Sequence, residues 1–278
     1  MARGPWDEPE SPAPGRGRGH SGAPGGPLRS QRGAPAAPTA GNSLVWNLVS
    51  TLLLAAFLAW QMGPIVALGG VVGVLVHELG HILAMNALGC GPARMVIIPF
   101  LGGAAIPARA PETEFKDVLI SLAGPVFGLL AMAPFFLAYA VTGQTAWFQG
   151  AFFVAFINLL NLVPAPPLDG SKALGPALAK VHPMLERVAL LAVGAIGVAW
   201  ALSRNSWIMA FFIGIGVLGV LRRGAIRPYA LRLTPREFAY ALALYIAAAA
   251  LCLLGLGVAL VGLNQPLSFA AFADVLGF

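Results

Sequence analysis

The stretch VVGVLVHELGHILAMNAL, residues 71–88, decides how the rest of the chain is interpreted. Apart from three residues near its centre and Asn86, every position is apolar or glycine, which predicts a helix buried in protein or lipid. The three exceptions are His77, Glu78 and His81. An unpaired ionised side chain at mid-bilayer costs at least about 2.5–3.5 kcal/mol, so these residues need a partner that compensates for their burial.

The spacing of the three polar residues predicts a metal site. His77 and His81 are four residues apart, so on a helix their imidazoles lie on one face, one turn apart. This is the HExxH spacing, in which two histidines bind zinc and the glutamate, here Glu78, is a general base. The alternative is two histidines that pack between helices and a glutamate that extends to the membrane surface. The depth of apolar sequence on both sides favours the metal.

The composition indicates a polytopic membrane protein. Of 278 residues, 58% are hydrophobic and 10% are charged, whereas a typical soluble domain has about 25% charged residues. Apolar runs long enough, or nearly long enough, to span a bilayer occur at 44–62, 64–88, 117–141, 147–163, 186–202, 206–221 and 238–262. We therefore expect an all-α helical bundle of about 6–7 transmembrane helices, with a membrane domain at 43–263.

The two ends of the chain are predicted to lie outside this membrane domain. Residues 1–42 contain nine glycines, eight prolines and five arginines without a regular apolar pattern, which is typical of a disordered basic tail. Residues 264–278 are expected to form a short C-terminal tail.

The distribution of basic residues predicts the orientation. With seven crossings, 16 of the 17 lysines and arginines fall on the side of the N-terminus and only Arg204 falls on the other side. Since positive charge is retained in the cytoplasm, we expect a multi-pass cell-membrane protein with a cytoplasmic N-terminus. The net charge of +6 then reflects topology and contact with the lipid bilayer, and we expect no nucleic-acid partner.

A third metal ligand is expected at Asp169. Catalytic zinc sites have three protein ligands and keep one position for water. Asp169 follows an apolar run that Pro164, Pro166 and Pro167 interrupt, in FINLLNLVPAPPLDGSKAL, residues 156–174. Irregular backbone at membrane depth is tolerated only beside protein or a water-filled cavity. By the parity of the crossings, HELGH and Asp169 also lie in the same half of the membrane.

The two segments together resemble the site-2 protease family of intramembrane zinc metalloproteases. That family combines an HExxH helix with a downstream Asn-x-x-Pro-x-Pro-x-Leu-Asp-Gly motif. The chain matches the second motif at Asn161, Pro164, Pro166, Leu168, Asp169 and Gly170. The resemblance covers roughly residues 45–200, the expected catalytic core, and SLAGP at 121–125 also resembles the helix between the two motifs. For the glycines of that helix, ordinary close packing is the preferred interpretation.

The resemblance implies a zinc-dependent peptidase site. One Zn²⁺ per chain is expected on His77, His81 and Asp169, with Glu78 as the catalytic base that takes a proton from water. Asn161 is a candidate for contact with the substrate, although a helix-packing role for its amide is almost as plausible.

A short re-entrant β-loop is expected between the second and third spans. The segment VIIPFLGGAAIPARAP, residues 96–111, has short β-type runs interrupted by proline and glycine, and it resembles a loop of the family. An exposed strand edge can capture an extended peptide by backbone pairing. Gly102 and Gly103 are therefore candidate substrate-binding residues. A plain hairpin at the membrane surface is the alternative.

The sequence as a whole predicts a zinc metalloendopeptidase that cuts within or near transmembrane segments. The resemblance implies membrane-anchored, single-span protein substrates, as in regulated intramembrane proteolysis, and leaves any regulatory partner undetermined. Two alternatives stay open: a catalytically silent homologue acting as a membrane scaffold or chaperone, and a membrane metal transporter. The intact Glu78 argues against the first, and the few polar residues in the outer halves of the spans argue against the second.

Overall fold

The protein is a helical membrane protein with a small β-hairpin, as the sequence predicts. A computed structural model describes residues 40–98, 102–165, 167–203, 207, 210–211, 213–215, 217–218, 232–266 and 268. The elements with defined bounds are α1 (Ala40–Met62), α2 (Pro64–Ala87), β1 (Arg94–Ile98), β2 (Gly102–Ile106), α3 (Glu114–Gly128), α4 (Ala133–Thr142), α5 (Trp147–Asn161), α6 (Gly170–Ala173), α7 (Gly175–Val181), α8 (Pro183–Ser203) and α9 (Pro235–Gly262). A short 3₁₀ helix, Leu129–Met132, joins α3 to α4.

Within these described ranges, five helical stretches are long and apolar enough to cross a membrane. They are Leu44–Met62, Pro64–Ala87, Glu114–Thr142, Met184–Ser203 and Pro235–Gly262. The helix α5 is also apolar but has only 15 residues. These findings support a multi-pass membrane protein.

Three predictions lie partly or largely outside the described residues. They concern the apolar run at 206–221, the tail at 1–42 and the tail at 264–278. The orientation of the N-terminus stays a prediction.

Local sequence fixes the ends of the helices that surround the site. The helix α3 begins after Thr113, whose hydroxyl accepts a hydrogen bond from the Lys116 amide at 3.1 Å. The helix α9 begins with a capping box, in which Thr234 and Glu237 each bond the backbone amide of the other. Such caps satisfy amides that have no partner within the helix, so both helices start at defined positions.

The central element is α2, the helix that carries HELGH. It packs against α1, α3 and α5, and the hairpin lies against its C-terminal half. A buried apolar cluster that includes Val66, Phe135 and Phe152 surrounds its N-terminal half. A second cluster, with Val118, Leu162 and Cys252 among its members, packs α9 against α3 and the end of α5.

The strands β1 and β2 form the short β-loop predicted between the second and third spans. They pair antiparallel, with Arg94 opposite Ile106. The outer edge of β1 is bonded to α1, since Asn47 donates from Nδ2 to the Met95 carbonyl at 3.0 Å and accepts from the Ile97 amide at 2.9 Å.

This contact fixes which backbone groups of β2 face outward. The carbonyl of Met95 and the amide of Ile97 are directed away from β2. Met95 lies opposite Ala105, and Ile97 lies opposite Gly103. In an antiparallel pair, the backbone amides and carbonyls of two directly opposite residues are both directed towards the partner strand or both directed away from it. The backbone amides and carbonyls of Gly103 and Ala105 are therefore directed away from β1.

Candidate metal centre

Three side chains from two distant parts of the chain converge on one point. Nε2 of His77 lies 2.9 Å from Oδ2 of Asp169, and Nε2 of His81 lies 3.1 Å from the same oxygen. The two Nε2 atoms are 3.1 Å apart. Both imidazoles are buried, and the Asp169 side chain is 17% exposed. The three residues thus form a group that can hold a metal ion.

The remaining ring nitrogens have oxygen partners that fix the tautomers. Nδ1 of His77 lies 2.8 Å from Oδ1 of Asn158, and Nδ1 of His81 lies 2.8 Å from the Ile120 carbonyl oxygen. The amide of Asn158 is itself oriented, because its Nδ2 donates to the Val154 carbonyl at 2.8 Å. Carbonyl oxygens only accept hydrogen bonds, so both Nδ1 atoms donate, and in the neutral imidazoles both Nε2 atoms present lone pairs to the centre of the site.

A cation at the centre would compensate for this arrangement. Two nitrogen lone pairs and a carboxylate oxygen lie within 3.1 Å of one another, and such groups repel unless positive charge lies between them. A tetrahedral zinc ion, at about 2.0–2.1 Å from each ligand atom, sets its ligands about 3.3–3.4 Å apart. The observed separations differ from this by a few tenths of an ångström, so the three residues fit a zinc ion.

The helix α3 passes directly over the same point at Gly124. A Cβ at this position would lie 2.8 Å from His77 Nε2 and closer still to His81 Nε2. One turn further on, a Cβ at Gly128 would lie 2.7 Å from Asn158 Nδ2. The expectation that these glycines only allow the helices to pack closely therefore omits their contacts with the candidate site. Gly124 leaves open the space beside the two imidazole nitrogens, and Gly128 leaves space for the residue that orients His77.

The carboxyl of Glu78 lies at the edge of the site and is buried, with 4% exposure. Its Oε2 forms no hydrogen bond to any described residue. The strand β2 lies against it, because a Cβ at Gly103 would lie 2.7 Å from Glu78 Oε1, and the Ala105 backbone is also within hydrogen-bonding reach. A buried carboxylate oxygen without a protein partner is costly. Such an oxygen is suited to bind a water or a substrate group.

A cavity of about 320 Å³ joins these groups. It is lined by the three candidate ligands, Glu78, Asn161 and Gly103, together with other residues. Asn161 lies in the cavity wall, and its Nδ2 donates to the Ile157 carbonyl of its own helix at 3.1 Å. Gly102 lies opposite Ile98 in the hairpin and is not among the described residues that line the cavity. The structure thus brings Asn161 and Gly103 to the candidate site but leaves Gly102 aside, and substrate contact by any of them stays a prediction.

Two residues border the candidate metal ligands: sequence reasoning missed the first and assigned the second only to ordinary helix packing. The first is Asn158, which is fully buried and bonds His77. A signal was present, because Asn158 is a polar residue in an apolar span, one turn before Asn161. The second is Gly124, and no spacing rule separates it from glycines that only allow helices to pack closely.

The chain is similar to curated proteins named as zinc metalloproteases. It is 27% identical over 127 residues to "Zinc metalloprotease MJ0392" of Methanocaldococcus jannaschii, covering 44% of this chain and 36% of that protein. It is 28% identical over 174 residues to "Putative zinc metalloprotease sll0528" of Synechocystis sp., covering 60% and 43%. It is 29% identical over 170 residues to "Putative zinc metalloprotease Rip3" of Mycobacterium tuberculosis, covering 58% and 42%.

The matched segments span less than half the length of each of these relatives. No protein-family model matches the chain, and no solved structure matches it. The names of the relatives and the five long apolar helices together support a membrane zinc metalloprotease.

Proposed function

We propose that this protein is an intramembrane zinc metalloprotease of the site-2 type, an endopeptidase that cuts membrane-anchored proteins within or near their transmembrane segments. One observation carries the proposal: two imidazole nitrogens of α2, a helix that is apolar at both ends, converge within 3.1 Å with the carboxylate oxygen of Asp169, beside the buried Glu78. The names of the relatives support zinc as the metal.

The residues divide into ligands and a base. His77, His81 and Asp169 would hold the ion, with Nε2 of each imidazole directed at it. A bound zinc ion lowers the pKa of water and polarises a carbonyl group. The Oε2 atom of Glu78, which has no partner among the described residues, accepts a proton from the attacking water and passes it to the leaving amine.

The hairpin supplies a place for an extended substrate. A peptide bond within a helix is protected, because its amide and carbonyl are bonded internally, so the substrate must unwind before it is cut. The outward-facing backbone of Gly103 lies beside Glu78 and can pair with an unwound segment. We further propose that the substrate is a single-span protein and that the N-terminus of the enzyme is cytoplasmic, as the distribution of lysine and arginine favours.

The test compares the wild type with Glu78→Gln and Glu112→Gln in lipid nanodiscs, against a panel of single-span membrane proteins. Glu112 is the matched control, since it is an exposed glutamate that pairs with Lys116 at 2.9 Å. We expect one zinc per chain in all three proteins, cleavage by the wild type and by Glu112→Gln, and no cleavage by Glu78→Gln. Cleavage by Glu78→Gln at the wild-type rate, or a wild type that binds no zinc, would contradict the proposal.

A further inference from the structure

The helix α9 is bonded to the turn that carries Asp169. Tyr245, which is partly buried, donates a hydrogen bond from its hydroxyl to the carbonyl oxygen of Leu162 at 2.6 Å. Leu162 follows the last residue of α5. The final carbonyls of a helix have no partner within it, and at membrane depth water is not freely available to replace one. Tyr245 therefore supplies a donor at the point where the chain leaves α5.

The same carbonyl is in contact with the residue after the third ligand. A Cβ at Gly170 would lie 2.5 Å from the Val163 carbonyl oxygen and closer still to the Leu162 carbonyl. The backbone of Gly170 thus packs directly on Leu162, which is 2% exposed. Since Gly170 follows Asp169 in the chain, the base of the 162–170 turn is held between the Tyr245 hydroxyl and the Gly170 backbone. A shift of the Leu162 carbonyl would displace Asp169.

The N-terminus of α9 is anchored independently to elements around the site. Glu114, at the start of α3, accepts hydrogen bonds from Arg232 at 2.6 Å and from the Leu233 amide at 3.1 Å. The Leu233 carbonyl accepts a hydrogen bond from Lys180 of α7. These contacts fix the position of α9 relative to α3, the helix that crosses the proposed metal ligands. They lie N-terminal to Tyr245 and do not depend on it.

We infer that Tyr245 is a positioning residue for the metal centre. Through the Leu162 carbonyl it holds the turn so that Asp169 lies within reach of His77 and His81. The inference rests on the proposed zinc site, and it extends the support of that site beyond the 45–200 core that the sequence predicts. It gives α9 a role in metal binding although α9 supplies no ligand.

The test is the zinc affinity of the full-length protein in nanodiscs, measured by competition with a chromogenic chelator, for the wild type, Tyr245→Phe and Tyr240→Phe. The control, Tyr240, lies on the same helix and is 61% exposed. Both substitutions remove only a hydroxyl. One lost hydrogen bond corresponds to about a fivefold to tenfold change in an equilibrium constant. We expect Tyr245→Phe to bind zinc about fivefold to tenfold more weakly and Tyr240→Phe to match the wild type within about twofold.

A role confined to folding would lower the thermal stability of Tyr245→Phe and leave the zinc affinity of its folded fraction unchanged. The affinity is therefore measured on the monodisperse fraction and is the deciding readout. Equal affinities for the two tyrosine variants would overturn the inference and leave the zinc site in place. Absence of zinc binding by the wild type would instead overturn the proposed function together with the inference.

Discussion

Replacing Gly124 with alanine adds one methyl group at the place where a metal ion would be bound. In most helix interiors this change is favourable, because alanine is preferred over glycine by about 1 kcal/mol. At Gly124 the new Cβ would lie 2.8 Å from His77 Nε2 and closer still to His81 Nε2. Helix propensity and metal binding are thus expected to respond in opposite directions to the same substitution.

The size of the effect follows from the distances. Ordinary van der Waals contact of a Cβ begins at 3.4 Å, so Nε2 of His77 has to move by about 0.6 Å, whereas the bonds of a genuine metal site stay within about 0.2 Å of their usual lengths. Loss of a residue that only orients a ligand costs about 10–100-fold in metal affinity. Displacement of two ligands at once should cost at least the upper end of that range, about 100-fold or about 2.7 kcal/mol.

The assay is zinc content by elemental analysis, together with competitive titration, on Gly124→Ala and on the control Gly197→Ala. In α8, the nearest atom to a Cβ at Gly197 would lie 3.5 Å away, which is ordinary contact. We expect the control to bind zinc like the wild type and Gly124→Ala to lose zinc while still eluting as a folded protein. Stoichiometric zinc with wild-type affinity in Gly124→Ala would refute the placement of the ion between the two imidazoles beneath α3.

Three further predictions concern the groups around the ligands. Asn158→Leu removes the hydrogen-bond acceptor for His77 Nδ1, 2.8 Å away, and should weaken zinc binding by about 10–100-fold. In the same titration Asn158→Asp, which still offers an oxygen acceptor, should lose much less zinc affinity. Equal losses of affinity in the two variants would show that a hydrogen-bond acceptor at this position is unimportant. Asn47→Leu removes two hydrogen bonds to β1, each worth about 1 kcal/mol. Hydrogen exchange of the Ile97 backbone amide should therefore become at least tenfold faster. No acceleration would mean that α1 does not hold the hairpin. A strong zinc chelator should abolish cleavage and added zinc should restore it, whereas cleavage unaffected by the chelator would exclude a zinc-dependent reaction.

The parts of the fold that local rules determine were predictable from the sequence. Long apolar runs predict the spans, because a bilayer requires about 20 apolar residues for each helix. The hairpin was predictable from β-type runs interrupted by glycine and proline in residues 96–111. The convergence of Asp169 with His77 and His81 was expected from parity, because successive spans that reverse direction would place both motifs in the same half of the membrane.

The surroundings of the ligands depend on side-chain contacts that no spacing rule provides. Ile120 binds His81 through its backbone carbonyl, which every residue possesses, so its identity gives no signal. Gly124 borders the imidazoles only because α3 crosses α2 at that residue. A local sequence pattern does not determine at which residue two helices cross. Tyr245 lies 83 positions from the carbonyl that it bonds, and a tyrosine in an apolar span is equally compatible with a position facing lipid.

One physical rule nevertheless connects the residues that were missed. A polar group inside an apolar span is costly unless another group satisfies it, so each such residue predicts a contact even where its partner is unknown. Asn47 bonds a strand edge, Asn158 bonds the candidate metal ligand His77, and Tyr245 bonds the end of a helix. In each case the partner belongs to the hairpin, to the metal ligands or to the turn before Asp169. These three polar residues within the spans therefore mark parts of the scaffold of the candidate site, and a search for functional residues should include such residues together with the catalytic motifs.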